Sequence, residues 1–176
     1  MTVYSPLTMV HSLSGSTTFY ALRSLASGTT LQFTARHAIG KPVQGVALVA
    51  HDGFSARYDL DRIGGTFSRP AHKLAGQSYV GKVLVLDTAK GGVASAWMLH
   101  EMASRGVMPL AIVFNSVNPI LAQGAAFGDL TMLAGFDCDI TAQIPHGATV
   151  AIDPAARTVR VVSGVPAAAA SQSPPP

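Results

Sequence analysis

Apolar and polar positions alternate with two periods along the middle of the chain. Val83 to Leu86 is an unbroken apolar run, as expected for a strand covered on both faces. Gly91 and Gly92 punctuate it, and a helical pattern then runs from Val93 to Arg105 and ends at Gly106. Met108 to Phe114 is apolar throughout and reads as the next parallel strand. Strand, helix and strand together form a right-handed crossover unit. A second helix is predicted from Pro119 to Phe127, with Asn118 as its N-cap and proline in the first helical position. Asp139 to Ile144 reads as a short strand, and Thr149 to Ile152 with Thr158 to Val162 as a hairpin around "DPAA". Upstream, Gly45 to Ala50 is a strand, expected to pair with Phe54 to Leu60 across the "HDG" turn, since Asp-Gly favours hairpins. The pattern predicts an α/β domain with mixed strands and two main helices.

Between these elements, "DRIGGTFSRPAHKLAGQSY" is long, irregular and rich in glycine, and such loops in compact domains are usually functional. Residues 1–35 carry Ser and Thr without a sustained period and read as an extension, with room for one short helix around Phe19 to Leu25. Residues 164–176 form an Ala- and Pro-rich tail of low complexity, expected to be disordered. The domain is therefore expected over residues 36–163.

Composition changes the picture in one respect. Hydrophobic residues make up 48% of the chain and charged ones only 12%, which is few for a freely exposed surface and points to a face covered by a partner. The net charge is +3, but the twelve Lys and Arg are scattered, with none adjacent to another, so nucleic acid is not the expected partner. No apolar stretch reaches the roughly 20 residues that span a bilayer. The N-terminus lacks a basic segment followed by a clean apolar core, so the cytoplasm is the expected compartment. The single cysteine, Cys138, excludes an internal disulfide and an iron–sulfur cluster held by this chain alone. It reads as a structural thiol.

Candidate chemistry centres on "DTAKGGVAS". Backbone N–H groups at a helix start are unsatisfied and partly positive, Gly91 and Gly92 allow close approach, and Lys90 adds a charge. Together they suit a carboxylate or phosphate. The spacing is neither a P-loop nor a dinucleotide fingerprint. A glycine turn serving only tight strand-to-helix packing reads equally well. Ser95 lies in the first turn of the helix, facing either a ligand or a backbone group. In the long loop, "GGTFSRP" offers Thr66, Ser68 and Arg69, and the planar guanidinium of Arg69 matches a carboxylate or phosphate. Trp97 and Met98 read as core or interface packing, and His100 and Glu101 as solvated. The histidines are isolated, without metal-binding spacing.

The run from His72 to Phe136 resembles the small subunit, or swivel domain, of the aconitase X family. The resemblance rests on Gly76 to Val85, Ala89 to Ser95, Ala111 to Phe114 and Ile120 to Ala125, which recur in order and spacing. It implies a swivelling β/β/α fold and a hydro-lyase that dehydrates a small hydroxy acid, such as cis-3-hydroxy-L-proline or mevalonate 5-phosphate. It also implies a large subunit carrying an iron or iron–sulfur centre, with no cofactor bound by this chain. The swivel domain of such enzymes contributes a serine that removes the proton. Here the family's "G-S-x-x-G-S" turn is "KGGVAS", so the position of the first serine is Gly92. Ser95 is then the expected base, with Ser68 in reserve and Lys90 after it. Thr66, Ser68, Arg69, Lys90, Gly91 and Gly92 are the expected substrate contacts. "GGTFSRP" stands where phosphomevalonate enzymes carry a "G-G-V-D-P" loop, which favours the hydroxyproline-like substrate. A non-catalytic binding or regulatory module is the alternative.

Overall fold

A computed structural model describes residues 31–163. The readings of residues 1–30 and 164–176, including the helix around Phe19, lie outside them. Ten strands and three helices follow one another: β1 Gln32–Thr34, β2 His37–Ile39, β3 Val43–Phe54, β4 Leu60–Asp61, β5 Thr66–Phe67, β6 Val83–Ala89, α1 Val93–Ser104, β7 Ala111–Ser116, α2 Pro119–Phe127, β8 Thr131–Ala134, α3 Ile140–Gln143, β9 Thr149–Asp153 and β10 Thr158–Ser163. Eight strands form one mixed sheet in the order β1-β10-β9-β3-β6-β7-β8-β2, with β3, β6, β7 and β8 parallel.

The sheet curls until its two edges meet at one stretch of chain. β1 pairs with β10 at one edge and β2 with β8 at the other. Only Ala35 and Arg36 separate β1 from β2. The Ala35 N–H donates to the Arg157 carbonyl and the Arg36 N–H to the Gly135 carbonyl, each at 2.8 Å. β1 thus lies ahead of residue 36, where the domain was expected to start. Alternate side chains along β6 and β7 then face two different cores. Val83, Val85, Ala111 and Val113 point inside the curl with Val150, Ile152 and Val159. Leu84, Leu86, Ile112 and Phe114 point outward, beneath α1, α2 and the long loop, with Leu99, Met102 and Leu121.

The expected crossover, both long helices and the β9–β10 hairpin are present, and α2 has the predicted bounds. The Oδ1 of Asn118 accepts the Leu121 N–H at 2.8 Å, as an N-cap does. Two expectations are corrected, and one strand is added. The "HDG" segment does not turn: β3 runs straight through it to Phe54, with a register irregularity between Ala50 and Gly53, and pairs in parallel with β6. Hairpin propensity gives way here to parallel pairing with β6, through Gly53 and Phe54. Asp139 to Ile144 is a short helix, because the Asp139 carboxylate caps it, accepting the Thr141 N–H at 3.0 Å. β8, at Thr131–Ala134, is a strand that the apolar pattern did not reveal.

Candidate functional site

The carboxyl ends of β3 and β6 and the start of α1 meet at one rim of the sheet, where open α/β folds place their ligands. The Lys90 N–H donates to the Phe54 carbonyl at 2.7 Å and ties the two strand ends together. Gly91 then takes a left-handed φ of +99°, which a residue with a side chain adopts rarely. A Cβ there would also strike the Ser95 hydroxyl. The turn is held from above by Asn118, whose Nδ2 donates to the Gly91 carbonyl at 3.1 Å and the Ala89 carbonyl at 3.4 Å. Gly92 caps α1 with no side-chain hydrogen bond, and no acidic residue lies in the first turn. The positive end of the helix is left without an internal counter-charge.

Against this turn the end of β3 and the long loop together build a charged group that the sequence did not reveal. Asp52 lies at its centre. Its carboxylate accepts the Gly53 N–H at 2.8 Å, and the Arg69 Nη2–H and the Lys73 N–H at 3.4 Å each. Lys90 Nζ stands 3.8 Å away and His72 Nε2 3.9 Å away. Burial raises the Asp52 pKa, but the Gly53 N–H, His72, the Lys73 N–H and Arg69 outweigh it, and the carboxyl is held below its ordinary range. Beneath it Asp59, almost fully buried, lies 2.8 Å from Arg69 Nε and accepts the Ser55 N–H at 2.7 Å.

His72 is buried and stacked on Phe67, with ring centroids 4.5 Å apart. Its Nδ1 accepts the Leu74 N–H at 3.0 Å, so the proton of the neutral ring sits on Nε2 and points towards Asp52. Burial lowers the His72 pKa, against the pull of Asp52 and Asp59, and keeps the ring neutral at pH 7.

The expected site residues divide. Lys90, Gly91, Gly92, Arg69 and Ser95 come together. Ser95 is only 2% exposed, and its hydroxyl sits under Gly91, 3.4 Å from that of Ser55. Ser68 borders the group: its N–H donates to the Asp59 carbonyl at 2.8 Å while its side chain is exposed. Thr66 lies in β5, paired with Asp61 and bridged to Ser78, and makes no contact with the Asp52 group. Asp52, Ser55, Asp59 and His72 are the residues missed. Asp52 was hidden in the supposed hairpin turn, and Asp59 and His72 had no spacing to mark them. Trp97 is exposed rather than in the core. Burial and the flanking Asp139 and Asp137 push the Cys138 thiol up, so it is a poor nucleophile at neutral pH.

A second polar group sits at the same rim, continuing the inward alternation of Val49, Val85 and Val113. His51 Nδ1 lies 3.6 Å from an oxygen of Asp87 and of Asp139. The Thr141 hydroxyl stands among them, 2.7 Å from His51 Nδ1 and 2.6 Å from Asp139 Oδ1. Asn115 Nδ2 donates to both carboxylates. The Thr141 hydroxyl, with Asn115, holds the Asp139 carboxyl below its ordinary range against the opposing effect of burial. His51, Asp87 and Asp139 are, among the described residues, the group whose ligand atoms converge closely enough to hold a divalent cation.

Residues 32–161 match the aconitase X swivel domain family. The chain belongs to that family. Curated relatives include the phosphomevalonate dehydratase small subunit of Methanopyrus kandleri, 31% identical over 66% of this chain and 86% of the relative. The protein of the same name from Methanocella arvoryzae is 28% identical over 70% of this chain and 93% of its own length. Among solved structures, the aconitase X of Thermococcus kodakaraensis superposes with a TM-score of 0.70 at 23% identity, covering 76% of this chain and 99% of that one. At that identity the likeness establishes the swivel fold. No helix among the described residues is long and apolar enough to cross a membrane.

Proposed function

We propose that this chain is the small subunit of an aconitase X-type hydro-lyase, active with a large subunit that carries the metal. The observation that carries the reading is the turn Lys90–Gly92: an uncapped helix start beside Lys90 and Arg69, both ordered by Asp52. It suits the carboxylate of a hydroxy acid. When bound in the large subunit, the metal supplies Lewis acidity for the departing hydroxyl. With one cysteine, this chain cannot by itself hold an iron–sulfur cluster of that kind. Its part is to hold the acid end of the substrate and to take the proton from the adjacent carbon. That carbon's electron pair forms the double bond as hydroxide leaves and is protonated to water.

Ser95 is the hydroxyl we assign to the proton transfer. It lies under Gly91 in the first turn of α1, so the turn has to shift on closure for substrate to reach it. Lys90 or Ser68 would take that part if Ser95 does not. The preference for cis-3-hydroxy-L-proline drawn from "GGTFSRP" finds no support among the relatives, which are named phosphomevalonate dehydratase small subunits. Mevalonate 5-phosphate is therefore the first substrate to try. Gly92, at the position where the family pattern of the resemblance has a serine, and the burial of Ser95 favour one second reading: a swivel module that binds without catalysing.

The test is to purify the chain with and without the large subunit and to follow water loss from mevalonate 5-phosphate and from cis-3-hydroxy-L-proline. Turnover of one substrate by the pair alone supports the reading. A stable pair that turns over neither supports the binding module.

A further inference from the structure

We propose that the groove between α1 and α2 is the seat of the large subunit, an inference that rests on the two-subunit reading above. The groove encloses about 470 Å³ and is lined by Val93, Ala96, Trp97, Ile120, Gly124 and Phe127, with His100 and Gln123 as its polar members. Trp97 is 68% exposed, Phe127 72% and Val93 61%. Three such side chains flanking one cavity form a contiguous apolar patch of the kind that marks an interaction surface.

The charge pattern says what kind of partner fits. α2 has no charged residue, and α1 has only Glu101, which is paired with Arg105 at 2.8 Å and with Arg62 at 3.5 Å and does not line the groove. Transient interfaces keep a charged rim, whereas permanent ones resemble a core cut in two. The partner surface is thus apolar and uncharged, and it stays in place.

Position identifies that partner. Val93, at one end of the groove, is the first residue of α1 and follows Gly92 directly. A subunit that brings its metal over the Lys90–Gly92 turn has to pass Val93, and Trp97 lies one helical turn further on the same face. The floor is rigid, since Gly124 packs directly on Ala96.

Trp97 is the only tryptophan in the chain, which makes it a clean reporter. The full chain is labelled with 5-fluorotryptophan and its fluorine signal followed alone and with the large subunit. Alone, the signal should be that of a solvent-exposed indole at every concentration of the chain, and it should move to a buried position in the complex. Trp97→Glu and Phe127→Glu should weaken the complex by about a hundredfold, while leaving the thermal midpoint of the isolated chain unchanged.

A signal that shifts with the concentration of the isolated chain would put a second copy in the groove and overturn the proposal. An indole already protected at all concentrations would put a segment of this chain there, with the same consequence. An active complex formed equally well by both variants would sink this inference alone. Failure of the wild-type chain to form any complex would remove the two-subunit reading, and the inference with it.

Discussion

The hydroxyls of Ser55 and Ser95 face each other across 3.4 Å, both buried, one at the end of β3 and the other in the first turn of α1. If Ser95 takes the proton, Ser95→Ala in the two-subunit enzyme lowers kcat by roughly 100- to 10,000-fold with little change in KM. Ser55→Ala has a much smaller effect. A Ser95→Ala enzyme with normal kcat and a lower thermal midpoint would reduce the pair to packing.

Arg69 joins the acid-binding rim to the buried Asp59. Arg69→Met leaves Asp59 without its counter-charge and should cost about 2 kcal/mol, less than for a fully buried pair because Arg69 is partly solvated. Asp59→Asn should cost a similar amount. The double variant should lose clearly less than the sum, read from urea midpoints; strict additivity would mean that the two do not interact. Arg69→Met should also raise KM for the hydroxy acid.

Gly124 allows α1 and α2 to approach, for an added Cβ would lie 2.5 Å from the Ala96 Cα. Backbone on the far side cannot step aside as a side chain does. Gly124→Ala should destabilise the chain by about 1–3 kcal/mol despite its better helix propensity. A raised thermal midpoint would show that propensity wins and that the helices have room to part.

His72 gives the fold a pH dependence of known sign. Its folded pKa is below the ordinary 6.5, chiefly through burial, so the unfolded chain binds a proton more readily. Its contribution is intact above pH 6.5 and is lost as pH falls from there through the folded value. Urea midpoints should therefore drop between pH 7 and pH 5. His72→Asn, which keeps an acceptor for the Leu74 N–H, should show a shallower drop. An equal drop in both proteins would assign the effect to other groups.

How much of this was legible in the sequence depended on whether the cue was local. Asn118, Pro119 and Gly106 announced the helices because capping is settled within a few residues. Of the parallel strands, β3, β6 and β7 announced themselves by apolar runs, whereas β8 did not. "HDG" misled because its local preference for a hairpin was overridden by parallel pairing with β6, a strand some thirty residues further along the chain. Asp139 misled for the opposite reason: a side-chain cap turned an apolar segment into a helix. Of the site, the glycine turn and Arg69 could be read from residue type and spacing. Asp52, Asp59 and His72 could not: Asp52 lies in the stretch of β3 that reads as a hairpin turn, Asp59 has no spacing to mark it, and only the folding back of the long loop brings His72 to them.

The seam at Ala35 and Arg36 has a consequence for how the domain comes into being. The strands on either side of it are the first of the described fold to be synthesised, yet β1 waits for β10, more than a hundred residues later. Until then the curl is an open bracelet with two bare rims, vulnerable to pairing with other chains. Its clasp can fasten only after the last strand has arrived, so these early residues are among the last to lock.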